Sequence, residues 1–428
     1  MKAEVETIDS VRKKIRIVIP EDEVKKEFDT AYRSVSRMAK VKGFRPGKAP
    51  RAVLSRYYKN QINQEVMVKL IQDSFPKILA EKELIAVSEP SIENNPLEEG
   101  KEFSYTATFE VKPVIEVKEY QGLEAISDQP EITPEKIEKR LKEIQESHAS
   151  LKTIEGEQGI MEGNFAVIDF QGFSEGKPLE GGKVVGHLLE VRTGSFIPGF
   201  CEQLVGMKKG EEREFILDFP SDYERREFAD KKVTFQVKVN DLKEKIIPLL
   251  DDDFAKGLGE FKDQEDLKKK VRETLEEEEK GRIKSQVQND LISSLIEKNP
   301  FDLPPSLTNR EIEYMITEAQ RDLSLQGLSL DKLRISPDEL RERYREKAER
   351  RVRASLLLEA LAKKEGIVVK DEEVEERLKL IAIRTRQEVE KIKAYYQKEE
   401  KIESLKMQLL EEKSLDFLTE KAKIKMRD

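Results

Sequence analysis

FAVIDF (Phe165–Phe170), EREFILDF (Glu212–Phe219) and VTFQVKV (Val233–Val239) are three short apolar runs in a stretch, Gly156 to Lys245, that holds more than half of the chain's 21 glycines. Runs of this length, rich in aromatic and β-branched residues and bounded by glycine-bearing turns, read as a compact β-rich domain. The texture changes on both sides. Thr133 to Leu151 reads as helix, with Thr133 at the N-cap and Pro134 in the first helical position. After Pro248 helix returns and continues to the end, broken at NPFDLPP (Asn299–Pro305) and LQGLSL (Leu325–Leu330). One of these helices carries Val374, Leu378, Ile381, Thr385, Val389, Ile392 and Tyr396 at coiled-coil-like spacing. The flanking helices share a Lys/Glu-rich composition, so the β domain is inserted into, or hung from, a helical body.

A separate block occupies residues 1 to 112. Ile15, Ile17 and Ile19 alternate as in a half-buried strand closed by Pro20. Val24, Phe28, Ala31, Val35 and Met38 follow at spacings of three and four, one face of an amphipathic helix. GFRPGKAP (Gly43–Pro50), with two Gly and two Pro in eight residues, cannot be helix interior. Helix resumes from Arg51 to about Leu84, and Phe103, Tyr105, Ala107, Phe109 and Val111 then alternate as a second strand. The order β-α-loop-α-β describes one α+β domain.

Composition narrows the chemistry. The 428 residues amount to about three domains at roughly 150 each. Charged residues make up 39% of the chain against about 25% in an average domain, an excess that suits long, thin helices. One cysteine, Cys201, excludes an internal disulfide and any Cys-rich metal site. His148 and His187 leave little material for a His-based metal centre or a Ser-His-Asp relay, so no metal or other cofactor is expected. MKAEVETIDSVRKK lacks the apolar core of a signal peptide, and no run of 18 apolar residues occurs; the expectation is a cytoplasmic protein without a membrane partner. GFRPGK and GFSEGK have the wrong spacing for a phosphate-binding loop.

Two stretches carry candidate function. Between Asp29 and Glu65 lie nine Lys/Arg residues and no acid, and residues 1–112 sum to +3 in a chain of net −9. A basic face on an acidic protein points to a polyanionic or acidic partner. Phe44, between Gly43 and Arg45, is an aromatic beside a charge, a hot-spot composition; the alternative is a plain interhelical turn whose Phe tucks inward. Gly43-Phe44-Arg45-Pro46-Gly47-Lys48-Ala49-Pro50 resembles the ribosome-docking signature of bacterial trigger factors, a G-F-R-x-G-K-x-P loop joining two helices. That resemblance implies that Phe44, Arg45 and Lys48 contact a large-subunit ribosomal protein and rRNA at the exit tunnel. Pro46 stands where relatives often carry a basic residue.

GSFIPGFCEQLVGMKKGEEREF (Gly194–Phe215) resembles the FKBP-type prolyl isomerase signature I-P-G-x-x-x-x-L-x-G-M-x-x-G, and VIDFQG (Val167–Gly172) resembles that family's first core strand. The resemblance implies a proline pocket walled by Phe170, Ile197, Phe200, Tyr223 and Phe235, with Leu179 and Glu180 nearby. The alternative is that these five are simply the core of a small β domain, a reading nearly as good as the pocket for Phe170 and Phe235, whereas the pocket is favoured for Ile197, Phe200 and Tyr223. SDYERREFADKK is shorter than the corresponding flap of free-standing isomerases, which implies a more open pocket. NPFDLPPSL also resembles trigger factors, where it links the helices of two arms. Leu323, Leu325, Leu328, Leu330 and Leu333 scatter around a glycine-bearing loop, a pattern that suits weak, unselective holding of unfolded chains or ordinary helix packing.

The expected fold class is therefore multidomain α+β. It comprises an α+β ribosome-docking domain (1–112), a linker with the first helix of the helical domain (113–150), an FKBP-like β-rich domain (151–245) and a discontinuous all-α arm domain completed by 246–428. The resemblance implies a ribosome-associated chaperone that shelters nascent polypeptides and catalyses cis/trans isomerisation of X–Pro bonds. It also implies a weak homodimer off the ribosome. Two alternatives remain open: an isomerase whose helical parts only tether it, and a holdase whose isomerase domain is inactive.

Overall fold

The computed structural model describes residues 1–39, 44–45, 48–174, 176–194, 196–219, 231–330, 335–398 and 401–427. Two compact units result: Met1–Asp128 with Lys284–Asp428, and Gln129–Ile283.

The first unit begins with β1 (Lys2–Thr7), β2 (Arg12–Ile19), α1 (Glu21–Met38), α2 (Arg51–Glu81), β3 (Ser91–Asn94) and β4 (Phe103–Glu110). The sheet order is β1-β2-β4-β3, all neighbours antiparallel. Ile15, Ile17 and Ile19 pair with Ala107, Tyr105 and Phe103, so the alternating apolar sets of β2 and β4 share one face. That face packs against Val24, Phe28, Ala31 and Val35 of α1 and Leu54, Ile62, Val66 and Leu70 of α2. Met38 does not complete the stripe: it is 70% exposed, because α1 ends there and Ala39 turns to extended backbone. The edge strands β1 and β3 escape sequence reading, since β1 is exposed at nearly every position and β3 is four residues long. β5 (Glu124–Ser127) follows.

The second unit opens with α3 (Pro134–Ser147), where the Thr133 side chain accepts from the Lys136 N–H. The helix stops short of Leu151, which lies in β6 (Ser150–Thr153) opposite Lys245. Then come β7 (Phe165–Ser174), β8 (Lys177–Glu190), α4 (Phe200–Leu204), β9 (Glu212–Asp218), β10 (Lys232–Ile246) and α5 (Asp252–Leu258). The sheet runs β6-β10-β7-β8, with β9 also on β10. The three short apolar runs are β7, β9 and β10; β8 was hidden by Gly181, Gly182 and Gly186. α6 (Gln264–Lys298) follows, and the division between the units falls between its Ile283 and Lys284.

The first unit is completed by α7 (Pro305–Leu325), α8 (Pro337–Glu365), α9 (Asp371–Thr385), α10 (Val389–Lys398), α11 (Lys401–Lys421) and β11 (Lys423–Met426). The single coiled-coil-like helix expected from Val374 to Tyr396 is instead α9 and α10. Arg386 adopts the left-handed conformation at φ 53° and the Gln387 N–H closes back onto the Ala382 carbonyl. The segment Arg384–Glu388 offers no apolar side chain to keep a helix packed there, yet Val374, Leu378, Ile381, Val389 and Ile392 still meet in one cluster across the break. β11 returns to pair in parallel with β5. Asn299, buried at the start of the predicted NPFDLPP loop, accepts from the Lys118 N–H at 2.9 Å and donates to the Glu119 and Leu295 carbonyls at 3.1 and 2.9 Å. The leucine group around the next loop splits: Leu325 is 80% exposed, Leu330 packs against α7 and α8, and Leu333 lies outside the described residues.

Candidate functional site: an aromatic pocket and a docking loop

β7, β8, β10 and α4 converge on a cluster of rings in the second unit. Phe170 on β7 stands edge-on to Phe196, Phe200 and Phe235, with centroids 5.7, 5.8 and 6.3 Å away. Phe196 lies 4.8 Å from Phe200, and Phe200 lies 5.3 Å from both Phe215 and Phe235. Such edge-to-face pairs are the favoured arrangement of ring quadrupoles. Burial sorts the cluster by depth. Phe200 is wholly buried, Phe235 and Phe215 nearly so, and Ile197 is 9% exposed; Phe170 and Phe196 are only half-buried. The accessible aromatic surface is therefore that of Phe170 and Phe196, with Phe200 and Phe235 beneath.

Local sequence explains the placement. Gly199 has φ +84° and stands at the N-cap of α4, so the Ile197-Pro198-Gly199 turn drops Phe200 into the core as the first helical residue. Gly172 lets Leu179 close over Phe235: a Cβ there would sit 3.0 Å from Leu179 Cδ1 and 3.4 Å from the Phe235 ring. Of the residues expected at the pocket, Phe170, Ile197, Phe200 and Phe235 share one cluster, with Leu179 packed against it. Tyr223 lies outside the described residues, as does the side chain of Glu180.

Phe196 and His187 were not singled out from the sequence. Phe196 is the residue before Ile197 inside the isoleucine-proline-glycine motif, which was the available signal. His187 had no such signal. It reaches the cluster because β8 pairs with β7 at Ile168↔His187, bringing its ring 6.0 Å from Phe170 and 5.7 Å from Phe196. The opposite face of the same sheet carries a groove of about 590 Å³ whose lining includes Asp169, Gln171, Lys183, Glu212, Gln236 and Lys238 together with the exposed Val185. Among the described residues no group of His, Cys, Asp and Glu side chains is placed to hold a metal ion.

The second candidate site lies between α1 and α2. Phe44 is 41% exposed, and Arg45 and Lys48 are exposed. The Lys48 N–H donates to the Arg45 carbonyl at 3.0 Å, and Pro50 is the N-cap of α2. Gly43, Pro46 and Gly47 lie outside the described residues. Arg51 was counted among the nine basic residues but is already engaged. Its guanidinium bonds Asp29 of α1 and Glu99 before β4, and lies 4.2 Å over the Tyr32 ring. Burial opposes that charge, but the Asp29 hydrogen bond and the Glu99 and Asp29 fields outweigh it and hold the guanidinium above its ordinary pKa.

Comparison with known proteins decides the lineage. Residues 1–144 match the model of the bacterial trigger factor protein, 264–420 that of its C-terminus, and 156–240 that of FKBP-type peptidyl-prolyl cis-trans isomerases. A trigger factor of Geobacter sulfurreducens is 39% identical over 98% of this chain and 97% of its own length. The chain belongs to the bacterial trigger factor family. Trigger factors of Geotalea uraniireducens, 37% identical over 99% of this chain and 98% of theirs, and Syntrophotalea carbinolica, 38% over 100% and 97%, are similar to it at the same level. The chain is accordingly a chaperone of that family, and its β-rich domain is an FKBP-type peptidyl-prolyl cis-trans isomerase. No helix among the described residues is long and apolar enough to cross a membrane.

Proposed function

We propose that the chain works in the cytoplasm on the translating ribosome, docking through Phe44, Arg45 and Lys48, sheltering emerging unfolded polypeptides and turning over their X–Pro bonds. The functional division follows 1–112 for docking, 151–245 for isomerisation, and 113–150 with 246–428 for the arms. The reading is supported above all by one observation: an apolar aromatic face, open at Phe170 and Phe196 and closed beneath by Phe200 and Phe235, in a domain of isomerase lineage.

The chemistry requires no acid, base or nucleophile. Amide resonance sets a rotation barrier of about 18–20 kcal/mol. The planar amide is the more dipolar form and the twisted transition state has lost that resonance, so an apolar, water-poor wall penalises the ground state more. About 4 kcal/mol of such discrimination corresponds to roughly a thousandfold in rate. Phe170 and Phe196 supply accessible carbon surface for that, backed by Ile197, Phe200 and Phe235, and Tyr223 is proposed to complete the wall.

For the chaperone role, the first unit carries a cleft of about 1010 Å³ whose lining includes Ile85, Val87, Leu307, Tyr314, Val352 and Met407. Ile85, Tyr314 and Met407 are exposed large apolar side chains on a strongly charged frame, which suits weak binding without sequence preference. Off the ribosome, a weak homodimer that buries the docking loop accompanies this reading. Phe170→Ala tests the division of labour. It is expected to abolish turnover of a proline tetrapeptide and to leave suppression of aggregation of a denatured client intact. Equal loss of both would favour an isomerase whose helices only tether it.

A further inference from the structure

Among the described residues of the aromatic cluster, Phe170, Phe196, Ile197, Phe200 and Phe235 present only carbon, and His187 alone adds a polar ring. His187 stands over Phe170 and Phe196 with its ring half-buried, and among the described residues neither ring nitrogen has a hydrogen-bond or ion-pair partner. Ile168, opposite it on β7, is fully buried, so the pairing directs the imidazole to the inner, aromatic face of the sheet. The nearest carboxylate in sequence register, Asp169, is already committed: it accepts from the Gly186 N–H at 2.7 Å and from Asn240 Nδ2 at 2.6 Å.

We propose that His187 selects the side chain adjacent to proline, favouring residues with a hydrogen-bond acceptor, Gln and Glu, over aliphatic ones. The inference rests on Phe170 and Phe196 being the seat of the proline ring. A ring seated there is about one ring-to-ring distance from the imidazole, 5.7–6.0 Å. The neighbouring residue's Cα is about 3.8 Å from the proline Cα, so its side chain spans the remaining gap. A polar group at an apolar rim that has no acceptor among the described residues and gains one from the ligand discriminates against ligands lacking one, because the bound apolar ligand strips its water and returns nothing. Since the imidazole is half-exposed before binding, the discrimination expected is modest, about fivefold to tenfold.

The test uses the full chain and two tetrapeptide series, one varying the residue before proline and one the residue after it, each with Gln, Glu, Leu and Lys. The readout is the ratio of kcat/KM for Gln to that for Leu, which is indifferent to a general loss of activity. Wild type is expected to favour Gln and Glu in one series. His187→Phe should bring that ratio down by about five- to tenfold, and His187→Gln, which keeps an N–H donor, should retain part of it. An unchanged ratio in His187→Phe in both series overturns the proposal. Phe170→Ala and Phe196→Ala, checked for folding by circular dichroism, separate the two failures. If they turn over Leu-Pro peptides like wild type, the pocket is not the proline seat and both readings fall. If they are impaired while the His187→Phe ratio is unmoved, only the selectivity falls.

Discussion

Phe200 and Phe170 touch each other, yet replacing them should damage different things. Phe200 is wholly buried among four other rings, so Phe200→Ala should cost about 3–5 kcal/mol from lost transfer energy and an unfilled cavity. For a domain of this size each kcal/mol shifts Tm by about 4–8 °C, so the isomerase transition should fall by roughly 12–40 °C. Phe170 is half-buried, and Phe170→Ala removes only part of a buried side chain, about 1–2 kcal/mol, while taking away one of the two half-buried rings that open to solvent. Calorimetry of the full chain, with tetrapeptide isomerisation followed at low temperature, reads both quantities. The expected pattern is an early-melting Phe200→Ala and a folded but inactive Phe170→Ala. A Phe200→Ala domain that melts within a few degrees of wild type would refute the depth ordering. A folded Phe170→Ala protein with wild-type turnover would refute the assignment of the pocket.

Other consequences follow from single contacts. Tyr105 is buried with its hydroxyl 2.7 Å from Ser74 Oγ, and burial raises its pKa above the ordinary 10.0. The folded state therefore holds the proton more tightly, and the stabilisation is complete below pH 10 and lost as pH rises through the folded value; Tyr105→Phe should flatten the difference in urea midpoint between pH 9 and 11. Asn299→Leu strands the Lys118 N–H and should cost about 1–3 kcal/mol in urea unfolding of the first unit. Arg51→Gln should weaken ribosome binding several-fold by loosening the foot of the docking loop, yet leave the slope of log K against log salt unchanged, since Arg51 is occupied by Asp29 and Glu99; Lys48→Ala should lower that slope by about one contact.

The sequence made legible what depends on local periodicity. Ile15, Ile17 and Ile19 against Phe103, Tyr105 and Ala107 fell into place because each strand buries one face against helices. The residues proposed to wall the pocket, Phe170, Ile197, Phe200 and Phe235, are reachable only through the motif they resemble, because burial and pocket lining select the same residue types. Their depth order was not legible, nor was His187, which enters through a strand partner nearly twenty residues away. β8 was missed because glycines interrupt its pattern, and the α9–α10 break because Thr385 preserves the apolar spacing while Arg386 reverses the chain. Phe44 is exposed beside the exposed Arg45, whereas Arg51, alike in sequence, is bound by its neighbours.

The most direct test of the account is co-sedimentation with ribosomes carrying nascent chains, comparing wild type with Phe44→Ala/Arg45→Ala/Lys48→Ala. Wild type is expected to pellet with the ribosomes and the triple variant to stay in the supernatant with an unchanged far-ultraviolet circular dichroism spectrum. Equal pelleting of the two, or pelleting of neither, would contradict the docking role and leave a chaperone and prolyl isomerase that works away from the ribosome.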